Sequence, residues 1–156
     1  MNIRPARDGD FADLARLHKA SFAQAWDERA LRELIASGAS ALVAEQLKRI
    51  AGFILFRTAA DEAEILTVAV APDCRRAGMG RALVGGAAQA AARGGATRLF
   101  LEVGAGNTAA RALYAGFGFA KTAERKGYYS VAGRAPEDAL VLSAPLPLSG
   151  WGMSVL

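Results

Sequence analysis

"AEILTVAVAPDCRRAGMGRALV", Ala63 to Val84, runs from almost unbroken apolar sequence through a proline into three arginines and two alternating glycines, then into a helix-like repeat. The run from Ala63 to Ala71 has the composition of a strand covered on both faces. Pro72 ends it. From Gly78 to about Arg93, Met79, Leu83, Gly86, Ala87 and Ala90 recur on one stripe, which predicts a helix small enough on that side to lie close to a sheet. A glycine-rich, cationic turn between strand and helix can hold an anion. Glycines let backbone N–H groups converge, and the helix N-terminus adds roughly half a positive charge. Arg75, Arg76 and Arg81 would then assist the main chain. The other reading is an ordinary turn with solvated arginines.

Two phosphate loops do not fit. A Walker loop requires Gly-Lys-Ser/Thr, which "GMGRAL" lacks, and the dinucleotide fingerprint requires a third glycine where Leu83 stands.

Working outward, "MNIRPA" reads as a strand. "DGDFADLARLHKASF" reads as a helix with Asp8 or Asp10 as cap and Phe11, Leu14, Ala15, Leu17 and His18 at helical spacing. "WDERALRELIAS" predicts a second helix stopped by Gly38. "SALVAEQ" and "RIAGFILFRT" predict two strands joined tightly around Leu47–Arg49. "TRLFLEVG" alternates, with Leu99, Leu101 and Val103 on one side and Arg98, Phe100 and Glu102 on the other. "GNTAARALYAGFGF" predicts a short helix capped by Asn107 and ended at Gly118. "AERKGYY" and "EDALVLSAPL" supply two more strands, and "SGWGMSVL" a tail. Strands and helices interleave without linker or repeat. The expectation is one α/β domain over 1–148 with a mixed sheet, and a tail over 149–156.

Bulk composition narrows the chemistry. The 156 residues suffice for one domain with a real core, and 53% hydrophobic with 22% charged residues excludes disorder. The N-terminus is too polar for a signal peptide and no apolar run reaches bilayer length, so the expectation is a cytoplasmic protein without membrane contact. A single cysteine, Cys74, excludes an internal disulfide and a cysteine-rich metal site. The single histidine, His18, reads as a packing or surface residue, so no metal and no Ser-His triad is expected. The net charge of +4 is spread over scattered basic residues without interleaved aromatics, which disfavours nucleic acid.

"ILTVAVAPDCRRAGMGRALV" followed by "LFLEVGAGNTAARALYAGFGF" resembles the GNAT superfamily of acyl-coenzyme-A-dependent N-acyltransferases. The first block matches that family's Arg/Gln-x-x-Gly-x-Gly/Ala loop, the second its acceptor-side strand and "N-x-x-A-x-x-L-Y-x-x-x-G-F" helix. With "RKGYY…EDALVL" the chain is similar to the ribosomal-protein-alanine branch, up to about Leu148. The resemblance implies the GNAT fold, a central mixed, mostly antiparallel sheet flanked by helices. It implies acetyl-CoA as co-substrate, its pyrophosphate held by Arg75, Arg76, Ala77, Gly78, Met79, Gly80 and Arg81. It places the pantetheine arm along the main chain of Val68, Ala69 and Val70, with Asn107 also touching the cofactor.

The same resemblance implies Glu102 as general base, acting through water, and Tyr114 as proton donor to the departing sulfur. Read from the residues alone, Glu102 is a strand-end carboxylate pairing with Arg98 or simply solvated, Tyr114 a core tyrosine, and Asn107 an N-cap. Apolar neighbours on its strand predict a partly desolvated Glu102 with a raised pKa. A phenol near 10 against a thiol near 8.5 makes the second proton transfer modest. Tyr128 and Tyr129 either wall the acceptor channel or fill a hairpin.

Acceptor choice follows from magnitudes. At pH 7 a lysine amine is neutral in roughly one molecule in two thousand, an α-amine in roughly a tenth to a sixth. One glutamate is better matched to the latter. The expected activity is transfer of acetyl to a protein N-terminus, with the N-terminal alanine of a ribosomal protein as partner. The alternatives are a small-molecule amine as acceptor, or an acyl-CoA-binding module without catalysis.

Overall fold

The structure is a computed structural model that describes residues 1–130 and 133–149; most of the tail expected at 149–156 lies outside the described residues. The elements run β1 (Asn2–Pro5), α1 (Phe11–Ser21), α2 (Glu28–Ala36), β2 (Ser40–Gln46), β3 (Arg49–Ala59), β4 (Glu62–Val70), α3 (Met79–Arg93), β5 (Arg98–Gly104), α4 (Thr108–Ala115), β6 (Ala120–Tyr129) and β7 (Glu137–Pro145). The strands form one sheet in the order β1-β2-β3-β4-β5-β7-β6. Only β4 and β5 run parallel; every other neighbouring pair is antiparallel. This is the α/β fold with a mixed, mostly antiparallel sheet that the sequence predicts. The β2–β3 connection turns on Leu47 and Lys48, at φ 53° and 61°, the left-handed pair of a type I′ hairpin.

The parallel pair is short. It holds from Glu62↔Arg98 to Glu64↔Phe100, and then the strands part. Two features cause this. A bulge leaves Leu66 without a partner, because Phe56 pairs with Ile65 and Leu55 with Thr67; such an extra residue bends its strand and increases its twist. Meanwhile β5 is committed to β7 along its whole length, from Arg98↔Pro145 to Gly104↔Ala139. Beyond Ile65 the outer edge of β4 therefore faces a wedge instead of a strand.

Two apolar cores flank the sheet. α3 buries Met79, Leu83, Val84, Ala87, Ala88 and Ala91 against Ile54, Phe56, Leu99 and Leu101, and α4 adds Tyr114 to this side. The buried stripe of α3 is broader than the sequence suggests, since Gly86 and Ala90 sit at its margin and Val84 and Ala88 inside it. Gly52 is what lets the helix come so near: a Cβ there would stand 3.1 Å from Met79 Sδ and Leu83 Cδ1. On the other face, α1 and α2 pack Phe11, Leu14, Leu17 and Leu31 on Phe53, Leu55 and Ala69. That second core draws on β2, β3 and β4 and goes no further, so among the described residues no helix covers the β5–β7 half of this face.

His18 is a core residue, 3% exposed and stacked between Phe22 and Trp26. Its Nδ1 accepts the Trp26 N–H at 3.0 Å, which leaves Nε2 to donate to Thr67 Oγ1 at 3.2 Å. The ring thus joins α1 and the loop before α2 to the bulged part of β4. Burial lowers its pKa. An unfolded chain therefore takes up a proton near pH 6.5 that the folded one resists, and stability falls as pH drops through that value. His18→Gln should remove up to about 1.4 kcal/mol per pH unit from the slope of unfolding free energy between pH 7 and 5.5. Denaturant titrations that show parallel slopes for both proteins would place the ring in water.

Candidate active site

The turn before α3 has the form expected of an anion cradle. Gly78, at φ +83°, is the N-cap of α3 and its side of the turn is open, with nothing within 4 Å of a notional Cβ. Arg76 takes φ +65°, so two left-handed positions, on either side of Ala77, curl the chain. The bond from Ala82 N–H to the Gly78 carbonyl, 3.0 Å, closes the first turn of the helix. The amides of Met79, Gly80 and Arg81 thus precede the first intrahelical bond. Arg76 and Ala77 are exposed beside them, while Met79 is anchored in the core.

Arg75 does something the sequence does not announce. Its Nε donates to the Val70 carbonyl at 3.1 Å and its Nη2 to Ser21 Oγ at 3.1 Å. The guanidinium spans the end of β4, the turn and the last residue of α1, so it braces the cradle as well as adding charge to it. The bond also tells which way the strand points. Ala71 N–H goes to Ala51 on β3 at 2.7 Å, and main-chain groups alternate along a strand, so those of Val68 and Val70 face the wedge and those of Ala69 face β3.

On β5, Leu101 and Val103 are buried under α3 while Glu102 is exposed on the uncovered face. The expected desolvation is not met, because among the described residues no helix lies over that half of the sheet. Nor does Glu102 pair with Arg98, whose Nη1 donates to Ser143 Oγ at 2.9 Å. It accepts instead the Tyr129 hydroxyl on Oε1, at 2.9 Å. Partial burial, followed by this bond, pushes the Tyr129 phenol far above its ordinary value, so it stays a donor. The carboxylate lines a cleft of ≈310 Å³ whose other walls include Glu62, Glu64, Phe100, Arg57 and Arg125.

Tyr114 sits on α4 in the opposite environment. It is 5% exposed, edge-on to Phe119 at 5.5 Å. Burial alone pushes its phenol up to about 12, and its hydroxyl bonds no described residue. α4 lies beside the start of α3: a Cβ on Gly80 would touch Leu113 at 3.6 Å, and Arg81 stacks over the Phe117 ring at 4.8 Å. Asn107 caps α4 by accepting Ala110 N–H on Oδ1 at 3.2 Å.

Two participants, Glu137 and Asp138, escape the sequence reading. Glu137 accepts Gly106 N–H at 2.6 Å, and a Cβ on Gly104 would stand 2.6 Å from the same oxygen. The "GAG" before Asn107 is therefore a seat for a carboxylate from β7. Asp138 accepts Gly127 N–H at 2.8 Å. Tyr129 is a candidate from the sequence, but its bond to Glu102 depends on the strand order. Tyr128 points away, 53% exposed, with Arg125 over its ring at 5.0 Å.

Comparison with known proteins identifies the family. The profile of the Acetyltransferase (GNAT) family matches residues 11–119. The chain is 38% identical over 101 residues, 64% of its length and 67% of the relative's, to the [ribosomal protein bS18]-alanine N-acetyltransferase of Escherichia coli (strain K12). The crystal structure of the ribosomal-protein-S18-alanine N-acetyltransferase from Escherichia coli superposes with a TM-score of 0.87 at 28% identity, covering 97% of both chains. Arabidopsis thaliana NAA60 in complex with acetyl-CoA shares the fold, at TM-score 0.82 and 18% identity over 93% of this chain and 98% of its own. The chain belongs to the Acetyltransferase (GNAT) family and is an acetyl-CoA-dependent N-acetyltransferase.

Proposed function

We propose that this enzyme acetylates the N-terminal α-amine of a protein, with the N-terminal alanine of a small-subunit ribosomal protein as its acceptor. One observation carries the reading: the sheet face that bears Glu102 is open, and its cleft sets Glu62, Glu64 and Glu102 beside Arg57 and Arg125, so that carboxylates outnumber guanidiniums along it. An extended, positively charged chain end can lie there. The identity of the relatives supports the same class of acceptor.

Acetyl-CoA supplies the activated acetyl thioester. Around it, the amides of Gly78, Met79, Gly80 and Arg81 would hold the pyrophosphate, with Arg76 and Arg81 adding charge, Ala77 shaping the turn and Arg75 bracing it. Val68 and Val70 offer main-chain groups in the wedge, Ala69 holds that strand to β3, and Asn107 starts the helix that carries Tyr114. Glu102, hydrated on its open face, takes the proton of the acceptor ammonium. Tyr114 keeps its proton on the phenolic oxygen throughout the neutral range and presents it as a donor to the leaving sulfur. Burial alters the expected energetics: from a phenol near 12 to a thiol near 8.5, complete transfer is uphill by roughly 5 kcal/mol. Tyr114 therefore contributes chiefly as a hydrogen-bond donor while charge builds on sulfur.

Tyr114→Phe keeps the ring and removes the donor. Turnover should fall about 10²-fold while acetyl-CoA affinity stays within a few-fold. Unchanged turnover would make Tyr114 a packing residue alone.

The acceptor is tested by acetyl transfer to short peptides differing in their first residue, with polyamines and free amino acids alongside. Ala-initiated peptides with basic residues following should be preferred. A preference for a polyamine or free amino acid would transfer the assignment to small amines, and binding of acetyl-CoA without turnover on any acceptor would reduce the protein to a binding module.

A further inference from the structure

The two carboxylates that open β7 reach in opposite directions. Glu137 goes to Gly106, at the turn leading into α4, and Asp138 to Gly127 in β6. The second contact falls at an irregular place. β6 and β7 pair as far as Arg125↔Ala139 and resume only at Tyr129↔Glu137, so Lys126, Gly127 and Tyr128 all stand against Asp138. Such a bulge loses ladder bonds and needs another hold on its backbone. Gly127 takes φ +61°, a conformation open to glycine at little cost, and Asp138 Oδ1 accepts its N–H at 2.8 Å. The bulge sets the register of two adjacent tyrosines, whose rings meet edge to face at 5.4 Å. Tyr128 turns out to solvent, and Tyr129 turns in, its hydroxyl 2.9 Å from Glu102 Oε1.

We propose that Asp138 is a positioning residue for acetyl transfer: by holding the Gly127 amide it fixes the bulge that sets the Tyr129 hydroxyl on the Glu102 carboxylate. The proposal rests on the reading of Glu102 as the base. An exposed glutamate otherwise samples many rotamers. With Oε1 engaged by Tyr129, Oε2 is left for the acceptor or its water. Asp138 touches neither acceptor nor Glu102 and acts only through the backbone of β6.

The test uses the full-length enzyme labelled with ¹³C at tyrosine Cζ, with the Tyr129 resonance assigned by its loss in Tyr129→Phe. In Asp138→Ala that resonance should move, and kcat should fall about ten- to a hundred-fold with KM for acetyl-CoA within a few-fold. Asp138→Asn keeps an accepting Oδ1 and should retain both the resonance position and kcat. Adding Asp138→Ala to Tyr129→Phe should cost nothing further. A Tyr129 resonance that stays put in Asp138→Ala overturns the proposal, as does one that moves while kcat is unchanged. In the latter case Glu102 is still judged separately by Glu102→Gln, which does not involve Asp138. If Asp138→Ala fails to fold, hydrogen exchange of the wild-type Gly127 amide decides: slow exchange supports the contact, and exchange at the rate of a free amide overturns it.

Discussion

Glu102→Gln is expected to transfer acetyl groups about 10² to 10⁴-fold more slowly than the wild type at pH 7, the usual contribution of a general base. The substitution keeps the length of the side chain and an oxygen for the Tyr129 hydroxyl, now 2.9 Å from Oε1. Because Glu102 is exposed and outside both apolar cores, folding should be unaffected. The loss should be confined to the proton step, so acetyl-CoA affinity should not change. Raising the pH should partly rescue the variant as solvent supplies neutral amine, and for an α-amine the rescue should level off above roughly pH 8. A glutamine variant that works at the wild-type rate in neutral buffer would remove Glu102 from the chemistry.

Gly80→Asp should weaken acetyl-CoA binding ten-fold or more in calorimetry, about 1.4 kcal/mol for each ten-fold. The site accommodates the side chain, since the nearest atom to a Cβ would be Leu113 Cδ2 at an ordinary 3.6 Å. A carboxylate in the first turn of a helix also favours the helix through its dipole. The variant should therefore be at least as stable as the wild type while its charge opposes a pyrophosphate at the amides of Met79, Gly80 and Arg81. Gly78 is a poorer test, because its φ of +83° would strain any side chain. A stable Gly80→Asp protein with undiminished affinity would move the cofactor off the start of α3.

Much of this arrangement is legible in the sequence where the signal is local. Pro72, the alternating Gly78 and Gly80 and the small-residue stripe of α3 specify a strand, a turn and a close-packed helix within some 30 residues, and the structure has them. The cap at Asn107 is of the same kind. The alternation of β5 likewise places Glu102 opposite Leu101 and Val103. What it leaves out is what lies over each face. Glu102 is exposed because the core under α1 and α2 ends at β4, a matter of helix placement that no strand records. The link to Tyr129 is harder still. It spans 27 positions and requires β7 to lie between β5 and β6 and a bulge at Gly127 to shift the register that pairs Tyr129 with Glu137. Glu137 and Asp138 look like solvated charges until both of their glycine partners are in place.

The acceptor itself gives the most direct test of the central claim, that an α-amine is the nucleophile beside Glu102. Acetylation of one Ala-initiated peptide containing an internal lysine can be followed by mass spectrometry from pH 6 to 10, with its N-terminus free and with it blocked. The expected result is acetyl on the free N-terminus alone, a rate that levels off above roughly pH 8, and no product from the blocked peptide. Transfer to the lysine of the blocked peptide, still climbing toward roughly pH 10, would contradict it.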